Sequence, residues 1–478
     1  MEGWKVTRMR FGMSDCLHQM RIRAKKCADT IKGKHEVKVV SHIDADGITS
    51  AAIICKALDR AGIENSISFV KQLDENKIYG LADQNPELVI FTDMGSGMLE
   101  HIISSGLQAV ISDHHRPRGD PENLVKDHIN PHLFGANGST DISGSGTTYL
   151  LANEIGDNRD LAGLAIVGAI GDMQNRRNGH LVSLNREILE EGVFNRVLSF
   201  EKDIMLFGKQ TRPIFKLLQY ASDPYLPGLT GNEDACIDFL HRIGLRFGDD
   251  DRWRRWIDLE IGEKQKIVSA LMQHGLSSGQ ESYKLERLIG EVYLLLNERE
   301  GTEMRDATEY STLLNATGRY DFAEVGMTVC MGDREDAYHK ASKLLTEHRS
   351  NLVNGLSFVK NNGITKLNNL QYFDAGSNIK ETIIGIVAGM STSVAADRNY
   401  PIIAFANAEN GVKVSARGTQ DLVRKGLNLS EALAVVSAEV GGAGGGHDIA
   451  AGATIPENSK DEFIRRLDSI IGLQVSKK

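Results

Sequence analysis

Carboxylates and imidazoles recur at the ends of apolar runs in the first third of this chain. VKVVSHIDADG carries His42, Asp44 and Asp46. ELVIFTDMG carries Asp93, AVISDHH carries Asp113, His114 and His115, and LAIVGAIGDM, a more helical run, carries Asp172. Acidic groups at the ends of buried segments are costly unless something compensates them. One or two divalent cations would compensate several at once. Asp44 and Asp46 stand two residues apart, a spacing that points both side chains to one face of a strand, and His42 joins them. Gly47 then permits a tight turn into a helix. Several hard oxygen ligands with one or two imidazoles suit Mn²⁺ or Mg²⁺ better than Zn²⁺ held by thiolates. Two such ions about 4 Å apart can activate water and stabilise both oxygens of an in-line phosphoryl displacement. The expected nucleophile is therefore water rather than a side chain. A lone Asp after a strand is usually a turn former or a helix cap; the metal reading rests on the whole set.

A second group of chemistry-bearing residues lies near the C-terminus. The glycine-rich stretch Gly441-Gly442-Ala443-Gly444-Gly445-Gly446-His447 would let backbone amides approach an anion, with His447 a further donor. Ser415 and Arg417 alternate on one face of KVSARG, and a guanidinium suits a phosphate oxygen. A flexible turn and a surface arginine fit the same spacing. Arg319 in NATGR and Arg116 after the DHH triplet are weaker substrate-binding candidates.

These residues need elements to hold them. VKVVSHID, SISFVK, ELVIFTD and LQAVISD read as buried strands, and GITSAAIICKALDRAG as an amphipathic helix. Alternation of this kind implies a parallel sheet with right-handed crossovers, whose ligands bind beyond the carboxyl ends of the strands. GTTYLLANEI and LAGLAIVGAIGDM read as further helices. From about 200 to 300 strand signals are scarce, and KDIMLFGKQTRPIFKLLQY, DACIDFLHRIG and YKLERLIGEVYLLLNE favour helix. Arg252, Arg254 and Arg255 around Trp253 and Trp256, after Asp249, Asp250 and Asp251, fit a solvated helix start or a partner surface. A second α/β pattern follows: ETIIGIVAGM, PIIAFANAE and GVKVSARGT as strands, LSEALAVVSAEV and SKDEFIRRLDSIIG as helices, and the glycines as a loop. The expected fold class is α/β, with a parallel-sheet domain over 1–197, a helical middle insertion over 198–304 and a smaller α/β domain over 305–478.

The 478 residues carry a net charge of -9, which argues against whole-surface attraction to nucleic acid but leaves room for a local basic groove. Five scattered cysteines without a C-x-x-C fit free thiols in a reducing compartment. The start MEGWKVTRMRFGMSD lacks the apolar stretch of a signal peptide, and no run approaches the ~18 apolar residues of a membrane span. A cytoplasmic protein with no membrane association is expected.

HIDADG, FTDMG, SDHH and GAIGD, in this order, resemble the four motifs of the DHH phosphoesterase superfamily, and GGGHDIAAG resembles the signature of its DHH-associated C-terminal domain. With NATGR and the long middle segment, the chain is most similar to archaeal RecJ-like single-strand exonucleases of the GINS-associated type. The resemblance implies that His42, Asp44, Asp46, Asp93, His114 and Asp172 are ligands of two Mn²⁺ or Mg²⁺ ions, with Asp93 the bridge. It implies that Asp113 orients a neighbouring ligand, that His115 faces the scissile phosphate, and that Ser415, Arg417, Gly445, Gly446 and His447 hold the nucleotide in a cleft between the lobes. H-x-D-x-D is closer to these nucleases than to the H-x-x-x-D-x-D of the superfamily's pyrophosphatases. The implied activity is hydrolysis of single-stranded DNA or RNA in replication or repair, with association to the GINS complex and the replisome. Two alternatives remain open: an oligoribonuclease or cyclic-dinucleotide phosphodiesterase, and a replisome scaffold bound to GINS.

Overall fold

Alternate residues of the first strands face two different cores, and this period of two builds the sheet. Val39, Ile90 and Val110 enter one apolar cluster, while Val40, Val89, Phe91 and Ile111 enter the other. The computed structural model describes residues 13–118, 127–221, 224–246, 248–249, 252–394, 396–409 and 411–475. It divides into two compact units, 1–345 and 346–478.

The first unit opens with α1 (Met13–Lys32), β1 (Glu36–His42), α2 (Ala45–Ala61), β2 (Glu64–Val70), α3 (Glu75–Ala82), β3 (Val89–Thr92), α4 (Leu99–Ser104), β4 (Ala109–Ser112) and β5 (His128–Ile129). The five strands form one sheet in the order β2-β1-β3-β4-β5, parallel throughout, as expected from sequence. Helices α3 and α4 supply the core on one face, through Ile78, Leu81, Leu99 and Ile102. The other face is covered by α1, α2, α5 (Gly144–Ile155) and α6 (Ala162–Gly171), with α7 (Ser183–Phe194) beyond. Helix α6 is apolar all round and fully enclosed.

The middle region is helical, as its sequence reads, but a strand pair closes it. β6 (Leu198–Ile204) pairs antiparallel with β9 (Ile289–Leu295), from Leu198↔Leu295 to Ile204↔Ile289. β9 and the end of β6 from Lys202 read as helical, because pairing partners so far apart leave no local signature and the alternation along β6 is weak. The pair closes the neck of an insertion containing α8 (Ile214–Gln219), α9 (Glu233–Arg242), the short ribbon β7 (Gly248–Asp249) with β8 (Arg252–Trp253), α10 (Ile261–Ser277) and α11 (Ser282–Leu285). The insertion has its own core around Phe215, Leu240, Trp256 and Leu271. Trp256 is fully buried, and its Nε1 donates to Asp203 Oδ2 at 2.8 Å. Arg254 is held by Glu263 and Arg255 by Asp258, whereas Trp253 is half exposed. Asp250 and Asp251 lie outside the described residues.

The sequence boundary at 305 is displaced. Helices α12 (Ala307–Arg319) and α13 (Ala323–Met331) return to the first unit, where Ala307, Tyr310, Leu313, Leu314 and Val329 complete the core beside α2 and α6. An apolar helix face does not declare which core it will join, so texture alone set the boundary too early.

The division into units falls within α14 (Asp336–Asn362). The second unit has a six-stranded sheet in the order β10-β11-β12-β13-β15-β14, from β10 (Thr365–Lys366), β11 (Gln371–Asp374), β12 (Ile402–Ala408), β13 (Gly411–Arg417), β14 (Ala443–Gly446) and β15 (Ala450–Ile455). Only β11 and β12 pair in parallel. α15 (Ile384–Val394) covers one face; α17 (Leu429–Glu439) and α18 (Lys460–Val475) cover the other, with α16 (Gln420–Arg424) between β13 and α17. ETIIGIVAGM, expected as a strand, forms the start of α15; short apolar runs do not separate buried strand from buried helix. The glycines expected as a loop form the edge strand β14, from Ala443↔Thr454 to Gly446↔Ala451. All five cysteines are buried free thiols. Among the described residues no helix is long and apolar enough to cross a membrane.

Candidate metal centre

The acids at the carboxyl ends of β1, β3 and β4 converge because the chain turns sharply after each strand. Asp44 caps α2, its Oδ1 accepting from Gly47 N at 3.0 Å. Asp46 lies in the first turn of α2 but is buried: its Oδ2 accepts from Gly144 N at 2.6 Å and its Oδ1 from Ser145 N at 2.9 Å, at the start of α5. The positive end of α5 thus holds this carboxylate. Asp93 follows β3 in the left-handed region at φ 57°, a costly conformation for a non-glycine residue and one that collects at functional sites. A Cβ at position 144 would sit 2.6 Å from Asp93 Oδ1, so glycine there makes the space for this side chain.

After β4, Asp113 is fully buried and saturated. Its Oδ1 accepts from His114 N, His115 N and His115 Nδ1 (2.7, 3.1 and 2.8 Å), and its Oδ2 accepts from Ser96 N at 2.9 Å. His114 Nδ1 donates to Gly138 O at 2.7 Å. That fixes the tautomer and aims Nε2 inward, 3.2 Å from Asp93 Oδ1, 3.4 Å from Asp172 Oδ2 and 3.7 Å from Asp46 Oδ2. On the other side His42 Nδ1 lies 3.0 Å from Asp44 Oδ2 and 3.6 Å from Asp93 Oδ2. Asp172 closes the C-terminal end of α6.

Donor atoms therefore gather in adjoining sets: His42, Asp44 and Asp93; Asp46, His114 and Asp172; and Asp93, Asp113, His114 and His115. Asp93 presents one oxygen toward His42 and the other toward His114. Asp93 Oδ1 and His114 Nε2 are buried without a hydrogen-bond partner. Orphaned polar atoms of this kind are expensive, and a cation between them would satisfy both. The donor sets, carboxylates with three imidazoles and no thiolate, fit hard divalent cations.

The electrostatics agree. Burial and the neighbouring Asp93 and Asp172 push Asp46 up to about 8. Asp172 is raised as well, by burial and then by Asp44 and Asp93, against His114. Burial opposes a charge on His114, yet Asp172, Asp93 and Asp46 lift its pKa well above the ordinary imidazole value. For His42 the same opposition of burial is overcome by Asp44 and Asp93. Burial would raise Asp44 and Asp113, but His42 and His115 respectively hold them well below the usual carboxylate range. His115 is pushed up to about 9 by Asp113. The centre is an excess of negative charge drawing in protons where a cation would otherwise sit.

Other residues hold the frame, and sequence reasoning did not single them out. Asn130 Nδ2 donates to His115 O at 2.8 Å and to Ser96 Oγ at 2.9 Å, its Oδ1 accepts from His132 N at 3.0 Å, and Ser96 Oγ meets His128 Nε2 at 2.9 Å. His128 is buried, which lowers its pKa to about 4 and keeps it neutral. An Asn-Pro pair opening a helical turn was the available signal for Asn130. Within NATGR, Asn315 Oδ1 accepts from Ala45 N at 3.0 Å, and a Cβ on Gly318 would sit 1.8 Å from Ile43 O. Arg319 is half-buried within the field of Asp44, and burial lowers its pKa. Arg116 is exposed.

The remaining candidates belong to the second unit. Ser415 and Arg417 lie on β13, both against Gly385 of α15. Gly445 and Gly446 pair with Gly452 and Ala451, and the exposed His447 donates its backbone N–H to Ala450 O at 2.8 Å.

A family model of the DHH family N-terminal domain matches residues 36–169, one of the DHH-CID domain residues 206–289, and one of the DHHA1 domain residues 367–473. An uncharacterized protein of Methanocaldococcus jannaschii is 37% identical over 446 residues, covering 92% of this chain and 94% of that protein. The single-stranded-DNA-specific exonuclease RecJ of Thermus thermophilus is 25% identical over 308 residues, 60% of this chain and 39% of RecJ. The crystal structure of RecJ with Mn²⁺ from that organism superposes with a TM-score of 0.58 at 16% identity, over 95% of this chain and 55% of RecJ. The crystal structure of CDC45 from Entamoeba histolytica superposes with a TM-score of 0.64 at 11% identity, over 96% of this chain and 98% of that one. At these identities the structural likeness is one of fold.

Proposed function

Because the chain belongs to the DHH superfamily as a RecJ-like member, we propose that it is a Mn²⁺- or Mg²⁺-dependent exonuclease acting on single-stranded DNA, RNA or both, in replication or repair. Membership supports phosphoesterase or nuclease chemistry. The observation that carries it is the pair Asp93 Oδ1 and His114 Nε2, buried 3.2 Å apart beside Asp46 and Asp172 with no hydrogen-bond donor or acceptor from the rest of the chain.

In this reading His42, Asp44 and Asp93 would hold one cation, and Asp46 and His114 with Asp172 a second. Two divalent cations supply Lewis acidity and an activated water when bound. The chain's own contribution is placement. Asp113 fixes His115 through backbone and ring contacts and leaves the far ring nitrogen outward, where it can hold a proton for a phosphate oxygen. Arg116 and Arg319 would attract the strand, and in the second unit Ser415, Arg417, Gly445, Gly446 and His447 would hold the nucleotide.

End-labelled DNA and RNA strands incubated with Mn²⁺, Mg²⁺ or EDTA, beside Asp93→Ala, test the proposal. Metal-dependent laddering that disappears in the variant is expected; normal turnover by Asp93→Ala would sink it. A second reading, a replisome scaffold bound to GINS, draws on the CDC45-like fold. The full set of acids and imidazoles weighs against a purely structural role. An oligoribonuclease or cyclic-dinucleotide phosphodiesterase is the remaining alternative, and comparison of dinucleotides with long strands separates it.

A further inference from the structure

Two of the loops that carry the acidic centre run on into arginines. His115 is followed by Arg116 and Arg118, and Asp172 by Arg176 and Arg177. All four are exposed, and among the described residues their guanidiniums have no hydrogen-bond or ion-pair partner. This sets them apart from Arg60, Arg159, Arg186, Arg254 and Arg334, each held by a carboxylate.

Both loops are fixed to the centre from within. Arg118 N donates to Ser96 O at 3.0 Å, and Ser96 N donates to Asp113. The turn after Asp172 is pinned through the buried Gln174, whose Nε2 donates to Gly138 O at 2.8 Å, the same carbonyl that receives His114. Asn185 secures Gln174 Oε1 at 2.6 Å. Met173 takes a left-handed φ of 58°, and Arg176 N closes the turn on Met173 O at 3.0 Å. Arg176 and Arg177, four and five residues after Asp172, are thus presented on a constrained turn within about 18 Å of it.

The acids do not require these charges. Asp44, Asp46, Asp93 and Asp172 carry four formal negative charges, which two divalent cations would balance. The guanidiniums are surplus, and one phosphodiester carries a single charge. We infer that Arg118, Arg176 and Arg177, with Arg116, form a phosphate-binding rim for the stretch of single-stranded nucleic acid beyond the scissile bond. The preferred substrate is then a strand of several nucleotides, not a dinucleotide. This deepens the nuclease reading and rests on it.

The full chain is compared with Arg176→Ala/Arg177→Ala, with Arg118→Ala, and with Arg176→Lys/Arg177→Lys. Binding of a fluorescent twelve-nucleotide strand is followed in EDTA across a salt series, and kcat and KM are measured in Mn²⁺ for that strand and for a dinucleotide. Loss of two phosphate contacts should flatten the log K against log salt slope by about 1.4, about 0.7 per contact. KM for the strand should rise roughly tenfold with kcat and dinucleotide hydrolysis held within about twofold, the pattern of lost uniform binding. The lysine variant should keep the slope, which separates charge from folding. Unchanged slope and KM in both alanine variants would overturn the rim while leaving the nuclease reading intact. A native chain that hydrolyses the dinucleotide but neither binds nor cuts the strand would overturn both.

Discussion

Replacing Asn130 with Ala should damage catalysis through a side chain that touches no acid of the centre. Its amide gives two hydrogen bonds, to His115 O and Ser96 Oγ, and its carbonyl receives His132 N. Each is worth about 1 kcal/mol net, and leaving the His115 carbonyl without its donor adds about 1–3 kcal/mol. The sum predicts a loss of about 4–6 kcal/mol in stability. It also predicts release of the peptide that carries the His115 ring, because the clamp from Asp113 would then act on one side only. A displacement near 1 Å at a reacting group costs about a hundredfold in rate. Denaturant unfolding gives the first quantity; kcat and KM on a labelled strand in Mn²⁺ give the second, with the fall expected in kcat. His114 is anchored separately, to Gly138, so the rise in melting temperature on adding Mn²⁺ should survive. A stability loss under about 1 kcal/mol with kcat unchanged would refute this account of the clamp.

Other expectations follow from single contacts. Gly318→Ala would drive a Cβ to 1.8 Å from Ile43 O; overpacking costs about 1–3 kcal/mol, and both cleavage and the melting temperature should fall, whereas native cleavage would show that α12 does not buttress the loop. Glu309 is buried, and burial with the nearby Asp306 pushes it up to about 7 from 4.5. A raised folded pKa means that its stabilising contribution is full below about pH 4.5 and is lost as pH rises through 7, so stability relative to Glu309→Gln should fall by about 3 kcal/mol between pH 4.5 and 8; a difference flat with pH would contradict this. Arg417→Ala and His447→Ala should raise KM for the strand more than they lower kcat, and unchanged kinetics in both would remove the second unit from substrate binding.

The sheet and its acids were legible because each strand is an apolar run with a period of two, ending in an acid or imidazole where the chain must turn. The domains were less so. β9 and the end of β6 read as helix because each finds its partner across the whole insertion. α15 reads as a strand because IIGIVAGM is an almost unbroken apolar run, although only one face of the helix, with Ile384, Val387, Ala388 and Ser391, is buried. α12 reads as part of the second unit because nothing in its own residues names α2 and α6 as neighbours. Asp93 was visible as a strand-end acid, but its left-handed backbone and the space left by Gly144 were not. Asn130, Ser96 and His128 are ordinary residues in sequence and become a network only once β5 lies beside β4.

The contact of α12 with the loop after β1 also sets an order of events during synthesis. Ala45 donates its backbone N–H to Asn315, 270 positions later in the chain. At about 5–20 residues per second a ribosome needs roughly 15–55 s to cover that distance. Throughout that interval the parallel sheet can assemble from its own strands, yet the loop bearing Asp44 and Asp46 lacks its brace. A nascent chain would therefore carry an unfinished centre until the helix after the insertion emerges, and competence would arrive late, in one step, with the docking of a single helix.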